Sequence, residues 1–200
     1  MTPPPIPSYA LEAIDFFYSG QPELRRTLLR HSQSVCEKAL AIGRASGLKL
    51  DFALVIAGAY LHDLGIIACN APGIGCFGTE PYLRHGIVGG AMLKRYAMQH
   101  QVPAVSQLIG ICERHTGSGL TAAEIVSQHL PLPEQDFLPE TAEEKLIMLA
   151  DKFFSKSGDG AEKPLEKVRA GLAKFGAPAL ARFDAACQEF GLNASSAKQG

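Results

Sequence analysis

Phe52-Ala53-Leu54-Val55-Ile56-Ala57-Gly58-Ala59-Tyr60-Leu61 is the richest apolar stretch of the chain, and it runs directly into His62-Asp63-Leu64-Gly65. Asp51 stands in front of it as a good N-cap, because its carboxylate accepts from the free N–H groups of a first helical turn. The pattern predicts a helix from Asp51 to the His62-Asp63 pair. Val55, Ala59 and His62 fall on one face at steps of four and three, so the imidazole belongs to the apolar side. Gly65 follows as a tight exit, where backbone can turn or approach closely.

Working outward, helical periodicity dominates and no alternating strand is evident. A short helix is expected over 8–18. A long one starts near Pro22, a favoured early-helix residue, and stops at Gly47 after Ser46. Residues 68–80 hold Asn70, Pro72, Gly73, Gly75 and Gly78, which predicts a loop, either a lid or a connector. Helices are expected over 83–99 and 103–115. Thr121 with Glu124, and Thr141 with Glu144, have capping-box spacing; the second opens a helix expected to reach about Ser157. Leu130 to Pro139 is proline-rich and reads as a loop. Two further helices, about 161–190, precede a polar tail, 193–200, expected to fray. The expected fold is all-α, one helical bundle over residues 1–200.

Composition agrees. The 200 residues suit one domain with a real core, and two would be cramped. The formal net charge of -1 gives no overall positive field, so no nucleic acid partner is indicated, although a local basic patch stays open. No apolar run approaches the ~20 residues of a membrane span. Met1 to Pro7 has neither the basic cluster nor the apolar stretch of a signal peptide. Cys36, Cys112 and Cys187 sit in apolar helical patterns as reduced core residues. A cytoplasmic protein is the expectation, with a homo-oligomer left open.

The polar residues on these apolar stripes carry the chemistry. His31 lies in the series Leu24, Leu28, His31, Val35, Ala39, Ile42. His85 shares a face with Val88, Gly89 and Met92, and His115 follows Leu108, Ile111 and Cys112. Asp151 follows Ile147 and Met148 and precedes Phe154. Taken alone, His85 or His115 reads as a satisfied core histidine, and Asp151 as a cap or a partner of Lys152 or Lys156. His100 and His129 lack a stripe and read as surface. Taken together, two buried aspartates and four buried histidines need one explanation, since a buried carboxylate is costly unless paired or metal-bound. A metal centre built between facing helices supplies it. Cys69 and Cys76, in the 68–80 loop, make only a weak second metal signal.

At this point the chain resembles the HD-domain superfamily of metal-dependent phosphohydrolases. The resemblance is carried by His31, by Leu61-His62-Asp63-Leu64-Gly65, and by Asp151 in Leu149-Ala150-Asp151-Lys152. Arg84-His85-Gly86-Ile87-Val88-Gly89-Gly90-Ala91 looks like the following helix of the HDIG branch, and His115 within Ile111 to Gly119 like its later histidine. The motif-bearing part spans about 24–157. The resemblance implies that His31, His62, Asp63 and Asp151 bind a first divalent metal. His85 and His115 would complete a second site with Asp63 bridging. Mn, Fe, Zn, Ni, Co and Mg are all compatible. Two departures stand out. Ile66-Ile67-Ala68 follow Gly65, where many members carry a lysine, and the Gly-Tyr-Pro element of the cyclic dinucleotide phosphodiesterases is missing.

The expected activity is hydrolysis of a small, nucleotide-like phosphate ester by a metal-activated water, with Asp63 as the catalytic centre of the set. A bound metal lowers the pKa of water from about 15.7 towards ~7. Arg84, Arg114, Lys152 and Lys156, which flank the ligand positions, are candidates to neutralise phosphate, and Ser155, one helical turn from Asp151, is a candidate to face it. Two alternatives use the same residues: a di-iron oxygenase on this scaffold, which has the same six-ligand order, and a non-catalytic nucleotide-sensing module.

Overall fold

The computed structural model describes residues 5–158 and 160–192. It is all-helical apart from one two-residue hairpin among those residues. Helix α1 spans Ser8–Tyr18, α2 Pro22–Ser46, α3 Phe52–Leu61, α4 His85–Ala97, α5 Val105–Arg114, α6 Ala122–Ser127, α7 Ala142–Asp151, α8 Leu165–Ala173 and α9 Ala177–Glu189.

Helix α3 is the centre. Every residue from Leu54 to Leu61 is buried, which its all-round apolar sequence demands. Helices α1, α2, α5 and α7 pack about it. Asp51 starts it as expected, accepting from the N–H groups of Ala53 and Leu54 at 2.9 and 3.1 Å. Gly47, at φ 71°, ends α2 in the left-handed conformation that glycine adopts without a Cβ clash. Side chains of α8 and α9 join the same apolar core through Leu172, Phe183 and Cys187.

Past Asp63 the chain tightens into a 3₁₀ turn, Leu64–Ala68. Tyr18 of α1 clamps this turn: its hydroxyl donates to the Leu64 carbonyl at 2.8 Å and accepts from the Ile67 N–H at 3.3 Å. Gly65 lets the turn lie directly on α4, for a Cβ there would meet the His85 carbonyl oxygen at 2.1 Å and the Gly89 nitrogen at 2.4 Å. The expected loop 68–80 is more ordered than its composition suggests. Strand β1, Asn70–Ala71, pairs antiparallel with β2, Cys76–Phe77, around a 3₁₀ turn at Pro72–Ile74.

Several boundaries differ from the sequence expectation. Helix α5 begins at Val105, not 103, because Ala104 takes a left-handed conformation at φ 53°. Helix α7 ends at Asp151 rather than near Ser157. The N–H groups of Lys152, Phe153 and Phe154 bond three residues back, a tightened last turn, and the chain then leaves the helix. The Thr121–Glu124 capping box is complete, whereas at α7 only Thr141 caps, accepting from Glu144 N–H. Glu144 is instead buried and held by Arg114 at 2.7 Å. The tail 193–200 lies outside the described residues. No helix of the described residues is long and apolar enough to cross a membrane.

Candidate metal centre

The six stripe residues converge. His31 is the one in mid-helix; the others sit where helices end. His62 and Asp63 follow α3, His85 opens α4, His115 follows α5 and Asp151 closes α7. All six are buried.

Helix ends orient the imidazoles. The last carbonyls of a helix have no intrahelical donor. His62 Nδ1 donates to the Ala59 carbonyl at 2.8 Å, and His115 Nδ1 to that of Cys112 at 2.8 Å. His85 Nδ1 donates to the Tyr82 carbonyl at 2.7 Å. These bonds place a proton on Nδ1 of each ring and turn all three Nε2 atoms inward, and His85 and His115, whose pKa values are lowered by burial, present bare lone pairs there.

What they aim at is another acceptor. Asp63 presents its two oxygens to two groups. Oδ2 lies 2.9 Å from His62 Nε2 and 3.2 Å from His31 Nε2; Oδ1 lies 3.4 Å from His85 Nε2 and 3.5 Å from His115 Nε2. Asp151 Oδ1 is 2.9 Å from His31 Nε2 and 3.6 Å from His62 Nε2. The Nε2 atoms of His85 and His115 face each other at 2.9 Å. His62 Nε2 and both Asp63 oxygens make no hydrogen bond of acceptable geometry, despite these short contacts. On the Oδ2 side Lys156 Nζ supplies one cation at 2.6 Å, but on the Oδ1 side the facing lone pairs of His85, His115 and the carboxylate repel unless a cation sits among them. His31, His62, Asp63 and Asp151 form one group able to hold a metal, and Asp63, His85 and His115 a second, sharing the carboxylate. Imidazole nitrogen and carboxylate oxygen are the donor set for zinc, iron, manganese and similar ions, so the residues fit the group.

Charge is balanced locally. Burial works against the charge on His62, but Asp63 and Asp151 outweigh it and raise its pKa to about 9. Burial likewise opposes the charge on Asp63, yet His62 and Lys156 hold its carboxyl well below the usual range. Asp151 behaves the same way, with Lys152 and His31 as partners. His85 is pushed down to about 3 by burial and by His115, and burial also lowers His115, so this pair is neutral at pH 7.

Two of the five sequence candidates for phosphate recognition reach the centre directly. Lys156 Nζ lies 2.6 Å from Asp63 Oδ2, and Lys152 Nζ 2.6 Å from Asp151 Oδ2. A cleft of about 480 Å³ opens beside Asp151, lined by Lys152, Ser155, Lys156, Lys163, Tyr82 and Ile74. Ser155 is therefore at the site, though not by helical periodicity, since α7 has already ended. Ile74 brings the hairpin to the cleft wall.

Arg84 and Arg114 are corrections. Arg84 turns away to Glu80 at 2.6 Å and to the Pro131 carbonyl at 3.1 Å. Arg114 turns to α7, pairing with Glu144 and, at 3.3 Å, with Glu140. Their nearness in sequence to His85 and His115 misleads, because successive residues on a helix point about 100° apart. Replacing Arg114 by Ala leaves the buried Glu144 carboxylate without its cation. The expected result is a loss of about 2–3 kcal/mol in stability, read by urea unfolding, with metal content unchanged. A drop in bound metal with unchanged stability would reverse this assignment.

Tyr82 and Lys163 were missed. Tyr82 stacks on the His85 ring at 4.8 Å, and its hydroxyl stays protonated because burial pushes its pKa up. Its spacing, three residues before a candidate ligand, was the available signal; Lys163 offered none. Cys69 and Cys76 are buried free thiols and join neither metal group.

A helical domain that gathers four imidazoles and two carboxylates on one point is a metal-centre scaffold. The chain belongs to the HD-domain family: the family model described as "HD domain" matches residues 28–155. A tRNA (cytidine(56)-2'-O)-methyltransferase of Picrophilus torridus is 34% identical over 128 residues, 64% of this chain and 31% of that protein. The protein of the same name from Thermoplasma volcanium is 34% identical over 128 residues, 64% of this chain and 32% of its own. An uncharacterized protein of Methanocaldococcus jannaschii is 32% identical over 120 residues, 60% of this chain and 59% of that one. The matching part thus covers about a third of the two methyltransferase-named relatives. No solved structure matches the chain.

Proposed function

We propose that this chain is a metal-dependent phosphohydrolase acting on a small, nucleotide-like phosphate ester. The observation that carries the reading is the convergence of four imidazole Nε2 atoms on the two oxygens of Asp63, beside a cleft walled by cations. His31, His62, Asp63 and Asp151 would hold one divalent ion, and His85 and His115 a second through Asp63. When bound, such ions supply a hydroxide nucleophile near neutral pH and neutralise phosphoryl oxygens.

The chain's own groups do the rest. Asp63 positions the water by accepting its hydrogen bond. Lys152 and Lys156, whose carboxylate partners are also the ligand carboxylates, offer their ammonium groups to the phosphate at the cleft wall. Ser155 offers a hydroxyl to the same oxygens. Tyr82 gives an aromatic wall and a phenol that donates. The named substrate of two relatives is a nucleotide polymer, which favours a nucleotide-like ester over a sugar or lipid phosphate. Their methyl-transfer activity concerns a sugar hydroxyl, for which a carboxylate–imidazole centre has no use.

The test is turnover of mononucleotides and of bis(p-nitrophenyl) phosphate by protein stripped with chelator and reloaded with Mn²⁺, Fe²⁺, Zn²⁺, Ni²⁺, Co²⁺ or Mg²⁺. Activity should vanish on stripping and return with at least one ion. No release of phosphate from the mononucleotides or of p-nitrophenolate from the diester with any ion, together with oxygen consumption by the iron-loaded protein, would move the assignment to an oxygenase.

A further inference from the structure

The cleft at the metal centre does not end at Lys163. Lys152 and Lys163 also line a second groove, of about 430 Å³, which continues along α8 past Lys167 to Lys174 and Phe175. Lys167 and Lys174 are seven residues apart, two turns of one helical face, or about 10 Å at 1.5 Å per residue. Both are exposed, and among the described residues neither they nor Lys163 has a carboxylate partner. Of the nearby acids, Glu162 pairs with Lys38 at 2.6 Å and Asp184 with Arg169 at 3.0 Å, while Glu166, beside Lys167 on α8, is not among the residues that line the groove. Phe175, at the far end, is 68% exposed.

We propose that this groove binds a single-stranded nucleic acid whose end enters the metal centre. Three ammonium groups strung along a groove, unpaired among the described residues, suit a chain of phosphodiesters better than one compact anion. A bare aromatic ring at the end suits an unstacked base, the pairing of charge and stacking that single strands require. A duplex keeps its bases stacked and gives Phe175 nothing to hold. The near-neutral net charge conceals this groove, whose lining holds four lysines and no carboxylate. The inference rests on the phosphohydrolase reading for the strand's end, but not for the groove itself.

The experiment measures fluorescence anisotropy of an end-labelled single-stranded RNA ten-mer with the full chain, at several salt concentrations. Lys167→Glu with Lys174→Glu should weaken binding at least tenfold. It should also flatten the slope of log affinity against log salt by roughly 1.4, the value for two lost single-strand phosphate contacts. Phe175→Ala should cost at least about fivefold with the slope unchanged. Equal affinity for the duplex form, or unaltered binding by the lysine variant with its circular dichroism intact, would overturn the proposal. Hydrolysis of bis(p-nitrophenyl) phosphate by the wild type is followed in parallel. RNA binding without that hydrolysis overturns the phosphohydrolase and leaves the groove; hydrolysis without RNA binding overturns the groove and leaves the phosphohydrolase.

Discussion

Asp63→Ala is expected to lose bound metal from both groups and to lower turnover of the best phosphate ester by at least a hundredfold. Loss of a residue that merely orients a ligand costs about 10–100-fold in affinity or activity. Asp63 contacts all four histidines, through Oδ2 on one side and Oδ1 on the other, so its removal should exceed that range. Asp63→Asn keeps the shape but removes the negative charge that offsets a divalent ion, so metal affinity should fall in that variant too. The helical fold should survive both changes. Lys156, the cation left behind, lines an open cleft and can turn its flexible stem toward water, while the desolvation cost of Asp63 disappears with it. A purely capping role has no support, for the Asp63 side chain makes no cap hydrogen bond. Metal analysis, turnover and circular dichroism on both variants decide the matter: full activity in Asp63→Ala would end the mechanism proposed here.

Gly65→Ala is expected to act on the fold and the site together. The added methyl would lie 2.1 Å from the His85 carbonyl oxygen and 2.4 Å from the Gly89 nitrogen. Both are backbone atoms, so no side chain can rotate out of the way, and either the 3₁₀ turn or α4 must move. Overpacking costs about 1–3 kcal/mol, and a clash between two backbones belongs at the upper end. For a chain of this size, about 3 kcal/mol corresponds to a fall of roughly 6–12 °C in Tm. Because His85 is the first residue of α4, the displacement should also weaken the Asp63–His85–His115 group more than the His31–His62–Asp63–Asp151 group. If both groups hold an ion in the wild type, as proposed above, metal titration of the variant should show the second binding step weakened and the first retained. Gly73→Ala is the control, since nothing lies within 4 Å of a Cβ there. Equal melting temperatures for the two variants would show that the turn and α4 are not locked as described.

The chain's own sequence determined the helical class, the central buried helix and the six residues that meet at one centre. These follow from periodicity. A polar side chain on an apolar stripe is carried into the core whatever the details of packing, and the order of the stripes along the chain is itself informative. Tertiary structure decided the rest, because it depends on which segments become neighbours. It set the imidazole orientations, since Nδ1 of His62 and His115 meets carbonyls at the ends of α3 and α5, and Nδ1 of His85 meets the Tyr82 carbonyl of the turn before α4. It turned Arg84 toward Glu80 and Arg114 toward Glu144, although both sit beside metal-group histidines in sequence. Long basic side chains take whatever carboxylate the fold brings within reach, and local spacing does not encode that partner. The end of α7 at Asp151 carried Ser155 and Lys156 out of the helix and onto the cleft wall, where Tyr82 and Lys163 arrive from distant segments. An overall charge near zero likewise says nothing of where lysines gather. That was settled only when α8 brought Lys167 and Lys174 into one groove with Lys152 and Lys163.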